Sequence, residues 1–205
     1  LSFAGTVGAV GMNSAGVAVV INKLFATDWR IGVPYPFVVR RMLEQPTPGQ
    51  ALSVLIPAKR AAAMHYLIAD TAGLLYAIET TATAWELLDV PEGGLYAHTN
   101  HFLGARMKPF EARDFSGYAA HTIVRHARAR QLLARLGRDA PAEQLRLLMA
   151  DEHNFPCGIC THPSPDDPTF EGKTVARVLL EPGTGRASYA KGNRASDPWR
   201  TFELG

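Results

Sequence analysis

Cysteine is scarce. Cys157 and Cys160 are the two among 205 residues, too few to staple a domain of this size through disulfides. Their number favours a reducing compartment, and the cytoplasm over an oxidising one, without fixing localisation. Long apolar runs are also missing. The longest, around Ala15 to Ile21, contains Gly16 and falls far short of the roughly 20 residues that cross a bilayer, so no membrane span is expected. Neither sign of charge dominates, the formal net charge being +2. The basic residues gather in one stretch, Arg125-His126-Ala127-Arg128-Ala129-Arg130 continuing to Arg135 and Arg138. A solvated helix face accounts for that run, so nucleic acid is not an expected partner. Leu1 is neither an initiator methionine nor the start of a signal peptide, so the beginning of the chain carries no targeting information.

With 47% hydrophobic and 20% charged residues, the composition is that of a globular domain, and the length fits one domain over residues 1–205. Thr6 to Val10 and Val17 to Ile21 are β-rich runs joined by the turn signal Asn13-Ser14-Ala15-Gly16, which predicts a hairpin. A helix is expected over Pro34 to Glu44, and a second from Thr47-Pro48 to about Leu55; after Pro57, Ala58 to Met64 resumes helically. His65 to Asp70 and Leu74 to Glu79 read as a second hairpin, followed by strands near Trp85 to Leu88 and Leu95 to His98. Phe115 to Leu136 and Pro141 to Glu152 carry the strongest helical patterns, with Gly137 as a C-cap. Strands return at Thr174 to Leu180, Arg186 to Lys191 and Pro198 to Leu204, and Pro163 to Pro168 is the best loop. Strands, then helices, then strands imply an α+β fold of sheets covered by helices.

Asn100 stands at the end of an apolar run in His98-Thr99-Asn100-His101, where a side-chain amide can face a cleft and donate to a developing oxyanion, or else satisfy turn backbone. Asn13 is open to the same two readings, because asparagine followed closely by glycine is a common turn. Thr80 and Thr81 either line a pocket or serve as β-favouring residues in a strand, and Glu79 reads as structural. Cys157-Gly158-Ile159-Cys160 lacks the strand-to-helix context of a redox pair. With His153 and His162 it does not make a usual zinc pattern either, so no metal is expected and both cysteines read as packing thiols.

Gly11-Met12-Asn13-Ser14-Ala15-Gly16 and His98-Thr99-Asn100-His101 together resemble the acyltransferases and amidases related to acyl-coenzyme A:isopenicillin N acyltransferase, cysteine enzymes of the N-terminal nucleophile hydrolase class. The resemblance extends through Thr122-Ile123-Val124-Arg125, which adds no role of its own, through Asp151-Glu152-His153-Asn154-Phe155-Pro156 and Ile159-Cys160, and on to Thr174-Val175. It implies an αββα sandwich of two antiparallel sheets between helical layers, incomplete at its N-terminal end. It also implies a self-processing cysteine acyltransferase or amidase acting on linear amides or thioesters through an acyl-enzyme. Asn100 and, more weakly, Asn13 would be the oxyanion donors; Thr80, Thr81, His98 and Thr99 would line the substrate site. No cofactor is implied, coenzyme A entering only as part of an acyl donor.

In that class the nucleophile is the first residue of its chain, so Cys157 and Cys160 do not qualify and a segment upstream of Leu1 would supply the cysteine. A catalytically inert fragment or binding module that keeps the pocket is the rival reading. One departure stands out: Phe170-Glu171-Gly172-Lys173-Thr174 lacks an arginine found there in the fungal enzyme, with Lys173 its nearest substitute and a poor one for a bidentate contact. Acyl and amine specificity therefore cannot be carried over. Exposed edges of an incomplete sheet invite pairing with a second copy, so a homodimer is among the expected partners.

Overall fold

A computed structural model describes residues 2, 6–91, 94–115, 117–166 and 172–204. Two antiparallel sheets organise it. The larger runs in the order β1 (Gly11–Met12), β2 (Ala18–Lys23), β3 (Met64–Ala69), β4 (Leu75–Thr80), β5 (Trp85–Leu88). The smaller is β6 (Ala176–Glu181), β7 (Arg186–Lys191), β8 (Trp199–Glu203). The helices are α1 (Tyr35–Met42), α2 (Pro48–Leu55), α3 (His121–Leu136) and α4 (Ala142–Leu148). The α+β class is therefore as expected.

Alternation along β2, β3 and β4 divides the large sheet into two unlike faces. Val19, Tyr66, Ile68 and Ile78 point one way and pack with Val38, Val39 and Met42 of α1 and Ala51 and Leu55 of α2. Thr47 caps α2, its hydroxyl accepting from the Gln50 N–H at 3.3 Å, and Pro48 follows in the first turn, as the sequence signals. The opposite face is apolar at one end, where Ala18, Val20, Leu67 and Leu75 meet Val178, Leu179 and Leu180 of the small sheet around a cavity of about 430 Å³. At the other end the register sets Asn22 opposite His65, His65 opposite Glu79 and Glu79 opposite Glu86. A row of four polar side chains thus crosses four strands.

Several boundaries differ from the sequence expectation. Only Gly11–Met12 pairs with β2, not Thr6 to Val10. Ala58 to Met64 does not resume as a helix, because its backbone is drawn into pairing with a distant loop. The Val33 N–H donates to the Lys59 carbonyl, Ala61 to Val33 and Arg30 to Ala61. Leu95 to His98 forms no strand among the described residues. A 3-10 turn, Gly117–Ala120, leads into α3, which begins at His121 and not at Phe115. Gly137, at φ 74°, closes α3 with its N–H on the Leu133 carbonyl. Part of the predicted 163–168 loop, Asp167 and Pro168, lies outside the described residues, as do Leu1, Phe170 and Glu171.

Candidate active site

The polar row of the large sheet anchors the 96–106 segment. Glu79 is fully buried, which for a carboxylate is tolerable only when its oxygens are satisfied. Its Oε1 accepts from the Leu103 N–H at 2.6 Å and faces His98 Nε2 at 2.9 Å, and its Oε2 accepts from the Gly104 N–H at 2.9 Å. Glu86, its neighbour across the strands, accepts from the Arg106 N–H at 3.0 Å. A side chain at Gly104 would collide with the Glu86 carboxylate, so glycine is required for this close approach. The His98 ring stacks on His65, centroids 3.7 Å apart and planes 4° from parallel. Tyr96 meets His65 Nε2 through its hydroxyl at 3.2 Å. Burial first, and the neighbouring His98 second, hold the His65 imidazole well below its ordinary pKa.

This anchorage places Asn100. Its backbone N–H donates to the Thr122 hydroxyl at 2.7 Å, its Nδ2 donates to the Lys23 carbonyl at 3.0 Å, and its Oδ1 accepts from Arg125 Nη2 at 3.0 Å. A guanidinium can only donate and a carbonyl can only accept, so the amide orientation is unambiguous. One Nδ2 hydrogen is spent on Lys23. The other has no partner among the described residues, and Asn100 is only half-buried. A rigidly held amide with one free N–H is the geometry an oxyanion donor needs.

Thr122 and Arg125, which carry part of the resemblance but no role in the sequence, hold Asn100 here. Their i, i+3 spacing puts both on one face of α3 at its start, and that spacing was a legible signal. The Thr99 hydroxyl donates to the Thr122 carbonyl at 2.9 Å and accepts from the Thr122 hydroxyl at 3.0 Å. Thr99 thus acts on α3, and His98 on Glu79; both hold the Asn100 segment.

Beside Lys23 opens a cavity of about 490 Å³ lined by Leu24, Phe25, Trp29, Ala63, Arg113 and Ala119 among others. Asn100 is tied to it through Lys23, whose carbonyl accepts from the Asn100 amide at 3.0 Å.

Asn13 is built differently. Its Nδ2 donates to both the Leu43 carbonyl at 3.0 Å and the Gln45 carbonyl at 2.7 Å, and its Oδ1 accepts from the Val17 N–H at 2.9 Å. Both amide hydrogens are committed to joining the β1–β2 turn to the end of α1. Asn13 is anchored at one end of β2 and Asn100 at the other, about 20 Å apart at the rise of an extended strand over six residues. The two do not converge on one point.

The model of the family described as acyl-coenzyme A:6-aminopenicillanic acid acyl-transferase matches residues 1–196. The chain belongs to that family. It is also similar to the acyl-coenzyme A:6-aminopenicillanic-acid-acyltransferase 40 kDa form of Emericella nidulans, 28% identical over 202 residues, which are 98% of this chain and 54% of the relative. The chain thus spans about half the length of that relative.

Thr80 and Thr81 are fully buried and have other partners. The Thr80 hydroxyl, on the helix-facing side of β4, donates to the Met64 carbonyl at 3.0 Å. Thr81 donates to Asp28 Oδ2 at 2.7 Å and accepts from the Ala84 N–H at 2.9 Å. Neither lines the cavities described here. Cys157 and Cys160 are buried free thiols. Burial pushes both up from the ordinary thiol value, although Arg125 lies close enough to Cys157 to oppose the shift. Thiols held in that state are poor nucleophiles. Cys160 donates to the Asn193 carbonyl at 3.1 Å, and among the described residues no three His, Cys, Asp or Glu gather as metal ligands. Lys173 is exposed. Also among the described residues, no helix is long and apolar enough to cross a membrane.

His65, His101 and His126 share one electrostatic direction. Burial first, then the nearby His126 and His98, pull His101 down to about 4, and burial likewise lowers His126. Below an unfolded value near 6.5, protons therefore bind the unfolded chain preferentially. This contribution to stability is complete above pH 6.5 and is lost as pH falls towards about 4. The urea midpoint is expected to drop between pH 7.5 and pH 5, and to drop less in His101→Gln. A midpoint flat across that range would contradict the burial of these rings.

Proposed function

We propose that the full-length protein is a cysteine acyltransferase or amidase of the N-terminal nucleophile type, with the nucleophile supplied by sequence preceding Leu1 and exposed by self-processing. The observation that carries this reading is the Asn100 amide, fixed by Lys23 and Arg125 with one N–H unpartnered among the described residues, Lys23 itself lining a largely apolar cavity. Membership of the acyl-transferase family supports it. The cysteine thiolate attacks the carbonyl of an amide or thioester, forming a C–S bond and placing negative charge on oxygen, which the free Asn100 N–H stabilises. Collapse breaks the C–N or C–S bond, and the leaving amine or thiolate takes a proton. Water or a second amine then attacks the acyl-enzyme and regenerates the thiol. Coenzyme A participates only as the leaving group of an acyl donor. His98 and Thr99 act as positioning residues and Asn13 as a tether. Thr80 and Thr81 shape the scaffold and do not touch substrate.

The finer fold reading is the αββα sandwich. Its support is that the large sheet carries α1 and α2 on one face and meets the small sheet on the other. The test of function is intact-mass spectrometry of the full-length protein from its natural source, mixed with phenylacetyl thioester. One phenylacetyl adduct on an N-terminal cysteine, discharged by added amine, is expected. A folded protein that forms no adduct would remove the acyl-enzyme, and the inert binding module would then stand.

A further inference from the structure

Three cations converge on the Asn100 end of the molecule without a carboxylate to match them. Lys23 Nζ lies 4.7 Å from the centroid of the Phe25 ring and Arg113 Cζ lies 4.1 Å from the same centroid. Arg125 contacts the Asn100 amide oxygen, a neutral partner. Among the described residues none of the three has an acidic group within salt-bridge distance, whereas Arg128, one turn along α3 from Arg125, is paired with Asp151 at 2.6 Å. Glu111, which acts on Arg113 electrostatically, is occupied: Oε2 accepts from the Phe102 N–H at 3.0 Å and Oε1 from the Arg113 N–H at 3.3 Å. Arg113 and Arg125 repel one another, and both lose hydration to burial.

Gathering like charges around a largely apolar cavity is unfavourable in isolation and favourable once an anion enters. The cavity of about 490 Å³ offers that anion an apolar companion surface in Leu24, Phe25, Trp29 and Ala63. Lys23 supplies the link to chemistry, since its carbonyl holds Asn100 while its ammonium stands over Phe25.

We propose that Lys23 and Arg113 form an anion subsite at the mouth of the cavity beside Asn100, and that the substrate's amine half is an amino acid with an apolar side chain. Its carboxylate lies between the ammonium and the guanidinium. Its side chain enters the cavity, and the oxygen of the acyl carbonyl on its nitrogen is brought to the free Asn100 N–H. The placement of the scissile bond rests on the acyl-transfer reading; recognition of the anion does not.

The test is therefore binding, read by calorimetry at low ionic strength on the chain described here, and needs no turnover. The probes are N-acetylphenylalanine, its neutral primary amide, and phosphopantetheine, whose phosphate tips a polar chain. N-acetylphenylalanine is expected to bind at least tenfold more tightly than the amide, the gap shrinking in high salt as exposed cations are screened. In Lys23→Gln/Arg113→Gln the two are expected to bind alike. Lys23→Gln alone, at an exposed side chain, is expected to remove part of the gap, and it provides the reading if the double variant does not fold. Absence of binding, equal binding of acid and amide, or a gap that survives these substitutions overturns the subsite. Tighter binding of phosphopantetheine that is lost in the double variant would assign the cations to a donor phosphate and overturn the amino-acid assignment. Discrimination of acid from amide in a protein that never forms an acyl-enzyme would retain the subsite and reject the acyl-transfer reading.

Discussion

Replacing Asn100 by alanine in the full-length protein is expected to slow acyl transfer by about 100- to 1000-fold, the usual effect of deleting one oxyanion donor. The loss should appear in kcat, because the donor is most valuable when charge has developed on oxygen. Stability should fall by only about 1 kcal/mol, since the Lys23 carbonyl and Arg125 are close enough to the surface for water to replace the amide. Asn13→Ala is expected to do the reverse. It deletes two hydrogen bonds that join the β1–β2 turn to Leu43 and Gln45 and one within the turn, from the Val17 N–H, at a cost of about 2 to 3 kcal/mol, and should change the rate by less than about threefold. Steady-state kinetics paired with urea unfolding reads both quantities. A rate that collapses equally in the two variants would mean that the Asn13 tether, and not a separate donor, is what supports turnover.

Arg60→Ala should cost on the order of 3 kcal/mol or more, the largest stability effect expected from a single polar residue in this chain. Arg60 is 4% exposed, yet among the described residues no acid pairs with it. Its guanidinium instead donates to the carbonyls of Leu55, Ile56, Thr81 and Ala84 at 2.8 to 3.2 Å. The first two are carbonyls at the C-terminal end of α2, where the helix dipole favours a positive charge; the others lie at the β4–β5 turn. The side chain thus rivets a helix end to a strand end, and alanine would strip the guanidinium donor from four partly or fully buried acceptors, of which Leu55 and Ala84 keep the Ala58 and Thr81 N–H groups. Lysine should recover less than half of the loss, because a single ammonium has three donors and lacks the planar fork. Chemical denaturation gives the midpoint directly. A midpoint unchanged in Arg60→Ala would show that water reaches those carbonyls and that the rivet is dispensable.

The extent to which residues were legible follows the range of their interactions. Thr47-Pro48 and Gly137 act within a turn of their own position, and each ends or begins a helix where the pattern predicts. The pattern of His65 to Asp70 is local too, and it placed a strand where β3, Met64–Ala69, is found. The helical reading of Ala58 to Met64 failed because local propensity was outweighed by backbone pairing to Arg30 and Val33. Thr81 failed differently. It lies one residue past β4, in the turn to β5, and the partner that uses its hydroxyl, Asp28, is 53 residues away.

The sequence by itself determined the family, through motifs of adjacent residues, and the α+β class, through the order of its periodicities. It could not separate Asn100 from Asn13, because both are an amide beside a turn. Tertiary structure made that distinction by committing both hydrogens of Asn13 and only one of Asn100, through a carbonyl 77 residues distant in Lys23 and a guanidinium 25 residues distant in Arg125. A side-chain amide looks the same in any sequence; the number of its hydrogens left free is fixed only when the folded chain brings acceptors to it.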